Sequence, residues 1–118
     1  MTVAIGRYVE AIRRRGIDPE AVYLYGSRAR GHAHRDSDID VVVVWRGFRR
    51  KGYLRTLALL GRAAAEIAEP IQAVLYSPEE FDAPVPGGFL DAIKPDCLKV
   101  YERPTRLLRE RSASISRS

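Results

Sequence analysis

The residues best suited to chemistry lie in two short clusters: Tyr25-Gly26-Ser27 and, after ten intervening residues, Asp38-Ile39-Asp40. Two carboxylates separated by one residue at the start of an extended strand point to the same side of a sheet, because strand side chains alternate with a period of two. They can therefore share a cation. Side by side at the end of an apolar strand they repel one another and lose hydration, so the pair calls for a compensating positive charge. Mg²⁺ suits it, since that ion prefers carboxylate oxygens, keeps several waters and completes its shell with substrate phosphates. Gly26 allows the backbone to approach a phosphate closely, and the N–H groups that follow it, with the Ser27 hydroxyl, can donate to phosphate oxygens. Together the clusters describe metal-assisted phosphoryl chemistry on a triphosphate, with an incoming hydroxyl at the α-phosphorus and pyrophosphate leaving. A plainer reading stays open at this point: Gly-Ser makes an ordinary turn, Asp36 and Asp38 can cap or turn, and Asp40 can be an edge-facing acid.

The elements that must position these residues are legible from periodicity. Val3, Ile5, Val9 and Ile12 predict an amphipathic helix over 3–15, stopped by Gly16. Ala21 to Tyr25 reads as the first strand, and the polar segment from Arg28 to Ser37 as a connecting loop. Ile39 to Trp45 is almost wholly apolar and β-branched, which predicts a central strand covered on both faces. Leu54, Leu57, Leu60, Ala64 and Ile67 predict a helix over 52–68, closed by Pro70. Ile71 to Tyr76 is a further strand, and Ser77-Pro78-Glu79-Glu80 opens a short helix with a cap residue, a first-turn proline and two acids. After a loop over 84–88, a short helix over 89–94 and a last strand over 97–102 complete an interleaved α/β or α+β pattern.

The 118 residues, 46% of them hydrophobic, suffice for one core, expected over 1–104, with a basic flexible tail over 105–118. No apolar run approaches a membrane span and Met1-Thr2-Val3-Ala4 does not resemble a signal peptide, so a cytoplasmic protein is expected. The single cysteine, Cys97, excludes an intramolecular disulfide and reads as a small buried residue. A net charge of +5 is concentrated in Arg13-Arg14-Arg15, Arg49-Arg50-Lys51 and the tail. Such clusters read first as solvated faces or complements to helix dipoles, so nucleic acid is not the expected partner. His32 and His34 read as exposed loop residues, and Trp45 and Tyr25 as core or rim packing. A homodimer is compatible with so small an apolar domain, but nothing specifies an interface.

Gly-Ser-Arg-Ala-Arg-Gly at 26–31, followed by Ser-Asp-Ile-Asp-Val-Val-Val at 37–43, resembles the signature of the polymerase-β-like nucleotidyltransferase superfamily in its minimal stand-alone branch. Residues 71–81, Ile-Gln-Ala-Val-Leu-Tyr-Ser-Pro-Glu-Glu-Phe, resemble the same branch. The resemblance implies a small mixed β-sheet with helices packed on it, two Mg²⁺ ions, and transfer of a nucleoside monophosphate from ATP or a similar triphosphate to a hydroxyl acceptor. It makes Gly26 and Ser27 the phosphate-binding turn and Asp38 and Asp40 the first two metal ligands and catalytic acids. Arg28, joined by Arg30, can meet triphosphate oxygens as a forked donor or stay solvated. Members of this branch resemble antitoxins that pair with a helical partner of the HEPN type. One departure stands out: active members carry a third carboxylate on the next strand, where this chain has Gln72. A neutral amide binds metal weakly and cannot act as a general base, which leaves a catalytically degenerate nucleotide- or partner-binding module as the alternative. Glu66 or Glu69 could substitute, although solvent exposure on a helix face explains both.

Overall fold

The computed structural model describes residues 2–26, 29, 31 and 38–104. Its first helix, α1 (Thr2–Arg14), buries Ala4 and Ile5, Tyr8 and Val9, and Ala11 and Ile12. These pairs recur every three to four residues, as a single helical face requires. Val3, predicted to share that face, is exposed instead, in line with Arg7, Glu10 and Arg14 on the solvent side. Gly16, at φ +88°, ends the helix. Its N–H donates to the Arg13 carbonyl and that of Ile17 to the Ile12 carbonyl, both near 3 Å, a closure that places Ile17 over the last buried turn.

Four strands form one mixed sheet in the order β3-β2-β1-β4. They are β1 (Ala21–Tyr25), β2 (Ile39–Val44), β3 (Ile71–Tyr76) and β4 (Leu98–Glu102). β2 lies antiparallel to β1 and parallel to β3; β4 runs antiparallel to β1, with a bulge between Val22 and Tyr23. The two-sided burial expected of β2 is present. Ile39, Val41 and Val43 join the core formed with α1 and α2 (Tyr53–Glu66), whereas Val42 and Val44 pack with Phe81 and Leu90 on the opposite face. Burying each such branched side chain contributes on the order of 1.5–3 kcal/mol. A one-residue slip would exchange the two faces, so the valines also fix where Asp40 points.

A 3₁₀ turn at Arg50–Gly52 leads into α2, which buries Thr56, Leu60, Ala63 and Ala64. Leu54, counted among its inward positions in the sequence, is 79% exposed, because helical spacing aligns it with Ala58 and Arg62 on the outer face. The other face of the sheet is roofed by α3 (Pro78–Asp82) and α4 (Phe89–Ile93). α3 opens as predicted: the Ser77 hydroxyl accepts from the Glu80 N–H at 3.1 Å and the Glu80 carboxylate accepts from the Ser77 N–H at 2.9 Å. The Phe81 ring stacks on Tyr23 with centroids 4.4 Å apart. The Lys94 ammonium donates to the Phe81 carbonyl and lies 4.6 Å from its ring centroid, tying the end of α4 back to α3. Cys97 is half-buried just before β4, not fully buried as expected. No helix among the described residues is long and apolar enough to cross a membrane. The tail over 105–118 lies outside the described residues.

Candidate functional site

The site grows from the pairing of β1 with β2. Tyr25 stands opposite Asp40, so the chain leaves β1 through Gly26 directly beside the strand that carries the acids. Gly26 has φ +75°, a conformation that L side chains rarely adopt. A Cβ there would lie 2.8 Å from the Asp40 Oδ2, closer than side chains are ever found. Two independent constraints thus select glycine at 26, and both bring bare backbone against a carboxylate. The two halves of the sequence motif meet in space.

Asp38 is exposed just ahead of β2, and Asp40 is half-buried within it. Burial pushes the Asp40 carboxyl above its ordinary value, and the negative charge of Asp38 pushes it the same way. Tyr25 is likewise raised, first by burial and then by the charge of Asp40. Its ring is met edge-on by Phe89 at the start of α4, with centroids 5.8 Å apart, and Phe89 is still 53% exposed. Tyr25, read from the sequence as packing, is therefore a wall of the acidic face. Phe89 was visible only as the first residue of a short helix; an exposed aromatic following Gly87-Gly88 was the one available hint.

Gln72 occupies the position the resemblance assigned to a third acid: it pairs in register with Asp40 on the adjacent parallel strand. It shares the Asp40 face, since Ile71, Ala73 and Leu75 on either side of it turn toward the helical core. Glu66 cannot replace it. Its carboxylate meets Arg14 and Arg15, the latter at 2.7 Å, where α1 and α2 pack on the other side of the sheet. Glu69 lies past the end of α2, in the connection to β3. Among the described residues no cation pairs with Asp38 or Asp40, and no group of three His, Cys, Asp or Glu side chains is placed to hold a metal. Ser27, Arg28, Arg30, His32, His34 and Asp36 lie outside the described residues.

The donor set fits one hard divalent cation. Two adjacent carboxylates, Asp40 raised by burial and then by its neighbour's charge, lack a positive partner among the described groups, and the exposed Asp38 is accessible to water and phosphate oxygens. Asp38 and Asp40 are the residues that would hold it.

Comparison with known proteins bears on this arrangement. Residues 5–94 match the profile of the nucleotidyltransferase domain. The comparison with curated proteins gives no match. Among solved structures, the chain is similar to a proposed nucleotidyltransferase from Sulfolobus solfataricus, at 24% identity and a TM-score of 0.63, covering 87% of this chain and 81% of that one. It is also similar to a toxin-antitoxin structure determined with AMP-PNP, at 16% identity and a TM-score of 0.50, covering 98% of this chain and 86% of that one. At these identities the two structures speak for the fold.

Proposed function

Because the chain belongs to the nucleotidyltransferase domain family, we propose that it binds a magnesium-bound nucleoside triphosphate, ATP being the first candidate, and transfers the nucleoside monophosphate to a hydroxyl acceptor. The observation that carries this reading is the close approach of the Gly26 backbone to the Asp40 carboxylate, with Asp38 beside it. Bare backbone suits a phosphate, the carboxylates suit the cation that accompanies it, and the contact puts both requirements at one place.

When bound, Mg²⁺ would neutralise phosphate charge and lower the pKa of an attacking hydroxyl. The protein's part is to position. Asp38 and Asp40 hold the cation side of the triphosphate, Gly26 holds its oxygens together with Ser27 and Arg28 in the roles the resemblance implies, and Tyr25 with Phe89 shields one flank from water. In the reaction the acceptor oxygen bonds to the α-phosphorus, the bond to the bridging oxygen of the β-phosphate breaks, pyrophosphate departs, and the hydroxyl proton passes to solvent. Gln72 cannot take that proton, so slow turnover is expected. For the acceptor we take a hydroxyl on a helical partner of the HEPN type, with this chain as the antitoxin of the pair. The toxin-antitoxin structure of the same fold makes that the acceptor to try first.

The test is transfer of label from α-labelled ATP, with Mg²⁺, to a HEPN-type protein encoded beside this one. Labelling that is lost in Asp38→Asn and Asp40→Asn supports transfer; no labelling at any enzyme concentration argues against it. Gln72 favours a second reading, a nucleotide- or partner-binding module without turnover. The variant Gln72→Asp separates the two: label transfer that appears only in this variant marks the natural chain as a binder.

A further inference from the structure

Four residues along β3 from Gln72, or about 13 Å at the rise of an extended strand, Tyr76 opens onto a separate cavity of about 450 Å³. That volume lies within the range of small-molecule sites. Its walls are aromatic and aliphatic: Phe48, Tyr53 and Tyr76 surround it, with the exposed Leu54 at its mouth. The Phe48 and Tyr53 rings meet edge-to-face at 5.7 Å, a contact that fixes the two rings relative to each other. Arg50 and Lys51, from the 3₁₀ turn before α2, complete the lining.

The charge balance of the cavity is specific. The basic cluster at 49–51 reads from sequence as a solvated face, yet its members differ in the structure. The Arg49 side chain is spent on the carbonyls of Arg46 and Phe48, whereas the side chains of Arg50 and Lys51 form no ion pair or hydrogen bond with any described residue, and both border the cavity. The single acid in the lining, Glu80, is committed to the backbone of Ser77 through the capping box. Tyr76, whose phenol is raised by burial and then by the charges of Tyr53 and Glu80, keeps its proton and can donate.

We propose that this cavity is a second binding site, distinct from the acidic face, for a small aromatic or heteroaromatic anion. The ring lies against Phe48, Tyr53 and Tyr76, and the carboxylate, sulfonate or phosphate meets Arg50 and Lys51. An apolar wall alone would accept any hydrophobic molecule; two uncommitted cations beside it select for an anion.

The probe is 8-anilinonaphthalene-1-sulfonate, followed by fluorescence and by ¹H–¹⁵N spectra of the full chain, with neutral N-phenyl-1-naphthylamine as its uncharged counterpart. One molecule should bind per chain and shift the amides of residues 48–54 and 76. The neutral compound and the variant Arg50→Glu/Lys51→Glu should each weaken binding by about tenfold or more, the loss of a charge-assisted contact. Both substituted side chains are exposed, so the variant is expected to fold, and its circular dichroism and AMP-PNP binding should match wild type. Shifts centred on Gly26, Asp38 and Asp40, equal affinity for the charged and neutral compounds, undiminished binding by the double variant, or no binding would each overturn the proposal. Because Asp38 and Asp40 take no part, failure here leaves the nucleotide site untouched, and failure of that site leaves this one testable.

Discussion

A side chain at 26 would disturb Asp40 as well as the turn. Alanine at 26 would have to hold a positive φ, at about 1–2 kcal/mol for an L residue, and would also drive the Asp40 carboxylate from its position. Gly26→Ala is therefore expected to lower the urea midpoint of unfolding and to weaken magnesium-nucleotide binding together. Unchanged values for both would show that the contact is dispensable. At the neighbouring strand the expected change has the opposite sign. Gln72→Asp adds a carboxylate in register with Asp40 and should raise nucleotidyl transfer by on the order of a hundredfold, the lower end of what a positioned base supplies. A rate no greater than wild type would mean that the third acid is not what limits this site. The placement of these residues was largely legible as spacing. Alternation along a strand predicts Asp38 and Asp40 on one side, and Gln72 could be placed through the resemblance of residues 71–81. The edge-on Phe89 was not legible, because the loop-helix geometry that brings it to Tyr25 is set by packing sixty-odd residues along the chain.

The elements that hold these residues show where periodicity succeeds and where it slips. The run of β-branched residues in β2 foretold a strand buried on both faces, and Ser77-Pro78-Glu79-Glu80 foretold a cap that is present in both of its hydrogen bonds. Val3 and Leu54 were misassigned for the same reason. Each is apolar and close to the right spacing at the first turn of a helix, where a shift of one residue decides between the core and water. Because α3 roofs the site face, Ser77→Ala should destabilise the protein by about 1 kcal/mol, the usual cost of losing a cap. Thermal unfolding would register it, and a midpoint indistinguishable from wild type would contradict the role given to the box. On the opposite face, α1 and α2 are joined through Glu66. Its carboxyl is held below the ordinary range, first by its hydrogen bond to Arg15 and then by the charges of Arg14 and Arg15. A depressed native pKa stabilises the fold at pH values above the unfolded-state pKa and ceases to do so as pH falls through the native one. The stability gap between wild type and Glu66→Gln should accordingly be present near neutrality and persist through mild acidification, closing only as pH falls below the ordinary carboxylate range; a gap that widened on acidification would refute the pairing.

At the scale of the molecule, the sheet divides the labour. One face is sealed by α1 and α2 over an apolar core, and the other carries the acids, Gln72 and the aromatic wall, partly roofed by α3 and α4. Against the sealed face the Tyr8 hydroxyl is fully buried without a hydrogen-bond partner among the described residues. Burial raises its pKa far above the ordinary phenol value. Removing an unpartnered buried hydroxyl while keeping the ring should be neutral or stabilising by up to about 1 kcal/mol. Tyr8→Phe is thus expected to match or exceed wild type in denaturant, and a clear loss would reveal a partner for that oxygen. The mixed sheet with helices packed on it could be foreseen from the alternation of apolar runs and helical stripes. The strand order could not, because it depends on β4 returning to pair with β1 across most of the chain.

The central claim, that bare backbone at Gly26 and the carboxylates of Asp38 and Asp40 form one magnesium-nucleotide site, is tested most directly by calorimetric titration of AMP-PNP into the full chain with and without Mg²⁺. The account predicts saturable binding with Mg²⁺, weakened by about tenfold or more when the metal is chelated, and weakened similarly in Asp38→Asn and Asp40→Asn with Mg²⁺ present. Affinity indifferent to Mg²⁺ and to both substitutions, or no binding under any of these conditions, would contradict it.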